Sequence, residues 1–170
     1  MKRQRLSAEF AGARPRARQL PADLLERALA WGREQHVDLQ LVDARGICGP
    51  LHLRAALLHT ERAFARKRNR ANSRATELLL WLSGERQIHR AIAQLGVKRS
   101  TRTIGVICFG RRRLPALLRH LDLVRDDTVL EPTPEKLRRL KLTARGARSL
   151  PRVLRPLLIL ERLALAEVPQ

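Results

Sequence analysis

Leu78-Leu79-Leu80-Trp81-Leu82 is an unbroken run of large apolar residues, set in a stretch from about Asn72 to Leu82 that reads as helix. At 100° per residue such a run leaves no side of the helix for water. The helix is therefore buried, and other elements have to enclose it. A chain of 170 residues is long enough to supply that enclosure as one domain.

The enclosing elements are of both kinds. Pro21-Ala22-Asp23 opens a helix that carries Leu24, Leu25, Ala28, Leu29 and Trp31 at helical spacing and closes near Gly32. Leu51 starts another, which frays into Arg66-Lys67-Arg68-Asn69-Arg70. After the interruption at Ser83-Gly84, helical spacing resumes from Glu85 to Leu95 and Gly96 caps it. Leu114 to Leu121 is a short basic helix, and Thr133-Pro134-Glu135 starts the next with Thr as N-cap. Leu150 to Val168 is an apolar helix that Pro151 and Pro156 delay or kink. Strands are expected at Val37–Leu41 and Thr103–Phe109, with a short one at Thr128–Leu130. Leu6, Ala8 and Phe10 alternate as a weak strand ended by Gly12 and Pro15. The expected class is α+β, mostly helical, with a small mixed sheet of about three to five strands. Residues 1–20 form a basic segment that can serve as an edge strand, and residues 21–170 form the single domain.

Charge sets the partner class. Lys and Arg number 35 against 16 Asp and Glu, a formal charge of +19, and 30 of the cations are arginine. Guanidinium groups hold phosphates bidentately, and a field this strong calls for a polyanion, nucleic acid ahead of a membrane surface. An arginine-rich codon bias would explain the total but not its segregation. Arg62, Arg66, Lys67, Arg68, Arg70 and Arg74 form one run; Lys98, Arg99, Arg102 and Arg111 to Arg113 a second; Lys136 to Arg155 a third. Acids gather at Asp122, Asp126, Asp127, Glu131 and Glu135. With five aromatics and no Tyr, a multi-base stacking platform is poorly supported. Trp81 and Phe64 read as core.

Catalytic signals are missing. No HExxH, GxSxG, GxGxxG or GxxxxGK[ST] occurs. His52 and His59 stand two turns apart on one helix, ~10 Å, too far to share a metal ion. Cys48 and Cys108 lack any ligand cluster and read as free thiols of a reducing cytoplasm. No apolar run approaches the ~20 residues of a membrane span. The basic start Met1-Lys2-Arg3-Gln4-Arg5 has no apolar stretch after it, so secretion is not expected. The reading is a non-enzyme without cofactor or metal.

The run Glu77-Leu78-Leu79-Leu80-Trp81-Leu82-Ser83-Gly84-Glu85-Arg86-Gln87-Ile88, followed by Ala91-Ile92 and Leu95-Gly96-Val97, resembles the signature of the PRPK-binding-protein (TPRKB) family. Leu39-Gln40-Leu41-Val42-Asp43-Ala44, His52-Leu53, Ala56, His59 and Ala63-Phe64 fit the same pattern upstream. Pro134-Glu135-Lys136-Leu137 and Leu160-Glu161-Arg162-Leu163-Ala164-Leu165 fit it downstream. The likeness spans about residues 36–168, and the basic residues Arg3 to Arg18 fall outside it. It implies the kinase-binding subunit of the KEOPS complex, which places a threonylcarbamoyl group on the adenosine beside the anticodon of ANN-decoding tRNAs. That subunit does no chemistry. It binds the complex's small atypical kinase/ATPase, touches other KEOPS subunits indirectly, and captures the tRNA 3′ CCA end.

The residues themselves point the same way. Arg66, Lys67, Arg68, Arg70 and Arg74 are placed to close on phosphates. Ser83-Gly84 is expected to expose the N-terminus of the next helix, with Arg86 and Gln87 in its first turn facing RNA. Glu77 is expected to pair with Arg74, one turn earlier. On the last helix, Ile159 and Leu163 point the same way as Arg152, Arg155 and Arg162, so with Leu158 and Arg162 they are expected to form an exposed apolar kinase-binding patch. The alternative is a free-standing basic RNA- or DNA-binding protein with no kinase partner and no apolar patch.

Overall fold

Alternation along the Thr103–Phe109 stretch decides the layering. Ile104, Val106 and Cys108 pack into one cluster and Ile107 into another, all fully buried. A strand buried on both faces needs helices above and below it. The computed structural model describes residues 8–110, 113–140 and 157–167. In chain order these form β1 (Glu9–Pro15), α1 (Leu24–Glu34), β2 (Asp38–Asp43), α2 (Pro50–Ala65), α3 (Arg74–Ser83), α4 (Ile88–Leu95) and β3 (Ile104–Phe109). They continue with α5 (Leu114–His120), β4 (Leu123–Arg125), α6 (Pro134–Arg139) and α7 (Leu158–Glu167), plus 3-10 turns at Ala44–Gly46 and Asp127–Leu130. This is the expected α+β class, mostly helical. The sheet order is β2-β3-β1-β4, and all three pairings are antiparallel, where a mixed sheet was expected.

One face of the sheet packs α1 and α5 through Leu24, Ala28, Trp31, Leu117 and Leu121. The other packs α2, α3 and α4, with Leu78 to Leu82 at the centre. Seven consecutive residues of α3, Glu77 to Ser83, are buried, as the all-round apolar run requires. Among the described residues no helix is long and apolar enough to cross a membrane.

The first strand departs from the sequence reading. It does not end at Gly12 but runs through it to Pro15, and it is not an edge, since it pairs with β3 on one side and β4 on the other. Gly12 lies opposite Gly105 of β3. The two together leave a patch of sheet without side chains, and both 3-10 turns settle on it. A Cβ on Gly12 would stand 2.3 Å from the Asp126 carbonyl oxygen and 2.6 Å from Val129 Cγ2, and one on Gly105 would stand 2.4 Å from Ile47 Cδ1. Backbone bonds fix the contact: Asp126 N–H donates to Gly12 O at 2.8 Å, and Gly12 N–H to Asp127 Oδ1 at 2.9 Å. The segment Thr128–Leu130, expected as a strand, is therefore a turn. The Asp126 carboxylate accepts from Thr128 N–H and curls the chain, and the strand is Leu123–Arg125 just before it.

Replacing Gly12 by Ala forces backbone to move and is expected to cost about 2 kcal/mol, lowering Tm by about 4–8 °C. Gly110→Ala, whose nearest neighbour across space is Val37 Cγ1 at 3.5 Å, is the control and stays within about 0.5 kcal/mol. Calorimetric melting of the two variants checks the contrast.

Candidate functional site

The basic run after α2 is a built turn. Arg68 N–H donates to Ala63 O at 2.8 Å and Lys67 N–H to Phe64 O at 3.1 Å, the paired bonds of a Schellman cap. The cap puts Lys67 at φ +54°, a left-handed backbone that usually falls to Gly. A side chain kept there at a backbone cost presents its ammonium at the tip of the α2–α3 pair. Arg62, Arg66, Lys67, Arg68, Arg70 and Arg74 are all exposed around this tip.

Glu77 holds the tip from inside. Its side chain is fully buried, and Oε2 accepts from Arg70 N–H at 2.7 Å and Ala71 N–H at 2.9 Å. Oε1 accepts from Trp81 Nε1 at 3.0 Å. Its partners are therefore the loop backbone and an indole, not Arg74 as expected. Arg74 instead reaches back to Glu61 at 3.4 Å, with its guanidinium 5.0 Å from the Phe64 ring centre. The reason is steric order: the loop folds inward over the start of α3 and its amides reach the carboxylate first. Trp81 is core, stacked on His59 at 4.5 Å, and Arg70 lies over its ring at 4.9 Å. Glu77 thus gives its acceptors to backbone and indole donors, and the basic side chains of the tip stay exposed.

The second half of the expected RNA site is elsewhere. Ser83 ends α3 and Gly84, Arg86 and Gln87 follow it, about 15 Å from the helix's basic start for ten residues. Gly84 closes α3 at φ +69°. Ser83 is buried; its hydroxyl donates to Leu80 O at 3.1 Å and accepts from Glu85 N–H at 3.2 Å. It shapes the turn and presents nothing to a ligand. That turn delays α4 to Ile88, so Arg86 and Gln87 are not in its first turn. Gln87 is the extended residue before the helix, and both side chains are exposed. Ile88 and Ile92 are exposed on α4, and Leu25 and Leu29 on α1, at 46% and 58%.

The kinase-facing reading of α7 is corrected. Ile159 and Leu163 are each 1% exposed, and Ile159 packs in a cluster with Cys48, Leu137 and Leu140. The α7 helix lies against α2 and α3, so Ile159 and Leu163 are covered and form no open patch. Leu158 and Leu160 are half-buried beside them. The side chain of Arg162, and the stretch holding Arg152 and Arg155, lie outside the described residues, as do Arg111, Arg112 and residues 1–7.

The nucleophile candidates are quiet. Burial pushes both thiols up, Cys108 to about 11 with Glu9 adding to it. His52 is buried and bonded at both ring nitrogens, Nδ1 accepting from Cys48 N–H and Nε2 facing Leu82 O, each at 3.1 Å. Among the described residues no group of three His, Cys, Asp or Glu side chains stands ready for a metal ion.

The model of one protein family, kinase binding protein CGI-121, matches residues 17–143. No curated protein matches the chain.

Three variants test the inner construction. Glu77→Ala strands three donors and is expected to cost about 3 kcal/mol or more, while Glu77→Gln, which keeps one carbonyl, costs about half that. Urea unfolding followed by tryptophan fluorescence separates them. Ile159→Asp with Leu163→Asp puts carboxylates at two buried positions of α7 and is expected to unfold the chain or release α7, seen as lost helical circular dichroism.

Proposed function

Because the chain belongs to the family of the kinase binding protein CGI-121, we propose that it is a non-catalytic accessory subunit of the KEOPS tRNA-modification complex, acting in the cytoplasm. In this reading it holds tRNA and the small atypical kinase/ATPase at once. The observation that carries the RNA half is the α2–α3 tip, where a buried carboxylate anchors the loop through its amides and leaves Arg66, Lys67, Arg68 and Arg70 facing outward. Such cations contact phosphates and set affinity without reading sequence. Arg86 and Gln87, beyond the far end of α3, then meet the single-stranded CCA extension. Gln87 carries both donor and acceptor for a base edge.

The kinase half needs a surface that bound RNA does not cover. The exposed pair Leu25 and Leu29 on α1 fits that need. It sits one helical turn apart, on the sheet face opposite α2, α3 and α4. An exposed apolar pair on a helix marks a protein contact, and we assign the kinase to it in place of α7.

Two binding measurements test this. Intact tRNA is expected to bind more tightly than tRNA lacking its last three nucleotides, with affinity falling steeply as salt rises. Equal affinity for both removes the CCA assignment. Leu25→Asp with Leu29→Asp is expected to cost kinase binding at least about tenfold and leave tRNA affinity unchanged. Ile88→Asp with Ile92→Asp is expected to keep the kinase. The opposite pattern would move the kinase to α4.

A further inference from the structure

Two of the three basic runs take no part in the α2–α3 tip. Lys136 and Arg139 of one run, and the loop carrying Lys98, Arg99 and Arg102 of the other, lie at the far end of β2, around Arg45. There Thr103, the turn Asp127–Leu130 and α6 close with Arg45 on a cavity of about 240 Å³. Its wall holds the cations Arg45, Lys136 and Arg139 and the threonines 103, 128 and 133, with Glu135, an exposed residue, as the carboxylate. The loop carrying Lys98, Arg99 and Arg102 is tied in by a relay: Lys98 N–H donates to Thr101 Oγ1, and that hydroxyl donates to Asp43 Oδ2 at 3.2 Å.

Lys136 is the unusual member. It is 8% exposed, and its Nζ donates to Val129 O at 2.6 Å. Among the described residues its other two N–H groups have no bond, and no carboxylate pairs with it. Burial pulls its ammonium below the ordinary lysine range, while Cys48, Asp43 and Glu131 act the other way. A cation kept in the interior on one carbonyl is costly without an anion.

The nearest buried acid is already used. Asp43, 1% exposed, takes Arg45 Nε on both oxygens at 3.0 and 3.1 Å and Arg45 Nη2 at 2.6 Å, besides the Arg45 and Thr101 bonds. That grip fixes the guanidinium and leaves its Nη1 group over. Thr133 Oγ1 accepts from Lys136 N–H, so its hydroxyl proton is available to donate. Arg139 is held at the rim by Gln94 O at 3.1 Å.

We propose that this cavity binds a phosphate group, with Lys136 and Arg45 as its charged donors and Thr133 as a hydroxyl donor to a third oxygen. Two cationic donors and a hydroxyl around one cavity suit a tetrahedral oxyanion better than a planar carboxylate. The volume leaves room for an ester arm beside the phosphate. The phosphate can come from an RNA strand or from a small phosphate ester. The inference does not rest on the tRNA reading, because the tip and the cavity lie at different ends of the molecule.

Inorganic phosphate, replacing chloride at constant ionic strength, is the probe, followed by phosphorus NMR line broadening and by thermal melting. Saturable broadening and a raised Tm are expected for the natural chain. Lys136→Met, close in size to Lys, is expected to weaken phosphate about tenfold or more, the worth of one charge-assisted bond. Arg66→Ala with Arg68→Ala, at the tip, is expected to leave phosphate affinity unchanged while lowering RNA affinity. If Lys136→Met fails to fold, Arg139→Gln at the rim serves instead and is expected to weaken phosphate several-fold. Adding a short single-stranded RNA then separates the sources: displaced phosphate assigns the cavity to RNA, and retained phosphate assigns it to a small ester. Broadening that does not saturate, or that is the same in the natural chain and the variant, overturns the proposal and leaves only the diffuse field of a +19 chain.

Discussion

The arrangement of the basic surface depends on one buried carboxylate. Glu77 gives its two oxygens to two loop amides and one indole, and so ties the loop to α3. The amides belong to the cationic loop, the indole to the core of α3, and Trp81 in turn stacks on His59 of α2. A carboxylate pays heavily to leave water unless its lone pairs are used. Here those donors are neutral, so the loop is fixed through its backbone and its basic side chains stay exposed to solvent.

A chain of +19 also has to survive its own repulsion. Repulsion falls with distance and screening, so segregating the cations to separate places is cheaper than crowding them. The structure does this at two sites with opposite chemistry. At the tip the guanidiniums stand in water, with aromatic rings beneath two of them. At the end of β2 the buried Asp43 holds the Arg45 guanidinium, and Lys136 is drawn inward beside it. Burial pushes the Asp43 carboxyl up, but the bonds and charge of Arg45 win and hold it below its ordinary value. The stability it contributes is full above the unfolded carboxylate range near pH 4 and is lost as pH falls through the lower, folded value.

How much of this was legible in the sequence follows from the range of each interaction. Local signals transferred well: Thr133 caps α6, the all-round apolar run is buried, and the strand expected at Thr103–Phe109 is β3. So did the location of the exposed arginines, since a run of cations has nowhere else to go. What failed were pairings set by distant chain. Gly12 reads as a strand terminator because nothing nearby says that a turn more than a hundred residues later will rest on it. Ser83-Gly84 reads as an exposed helix start because the hydroxyl's choice of Leu80 O and Glu85 N–H is invisible in composition. Ile159 and Leu163 read as a patch among arginines because helical spacing shows which residues share a face and not what covers it. The cavity at Arg45 draws on three separate segments, and only the fold brings them together.

The same layering bears on how one small chain can serve two partners. The sheet separates two faces, each with its own core, and β2 packs against both α1 and α3. Packed layers are stiff, and a rigid separator transmits position but little change of shape. Under the proposed function, a domain built this way would act as a spacer, holding an RNA and a protein at fixed relative orientation. Coupling between the two ligands would then come from geometry, by raising the effective concentration of one partner near the other, and would need no switch inside the domain.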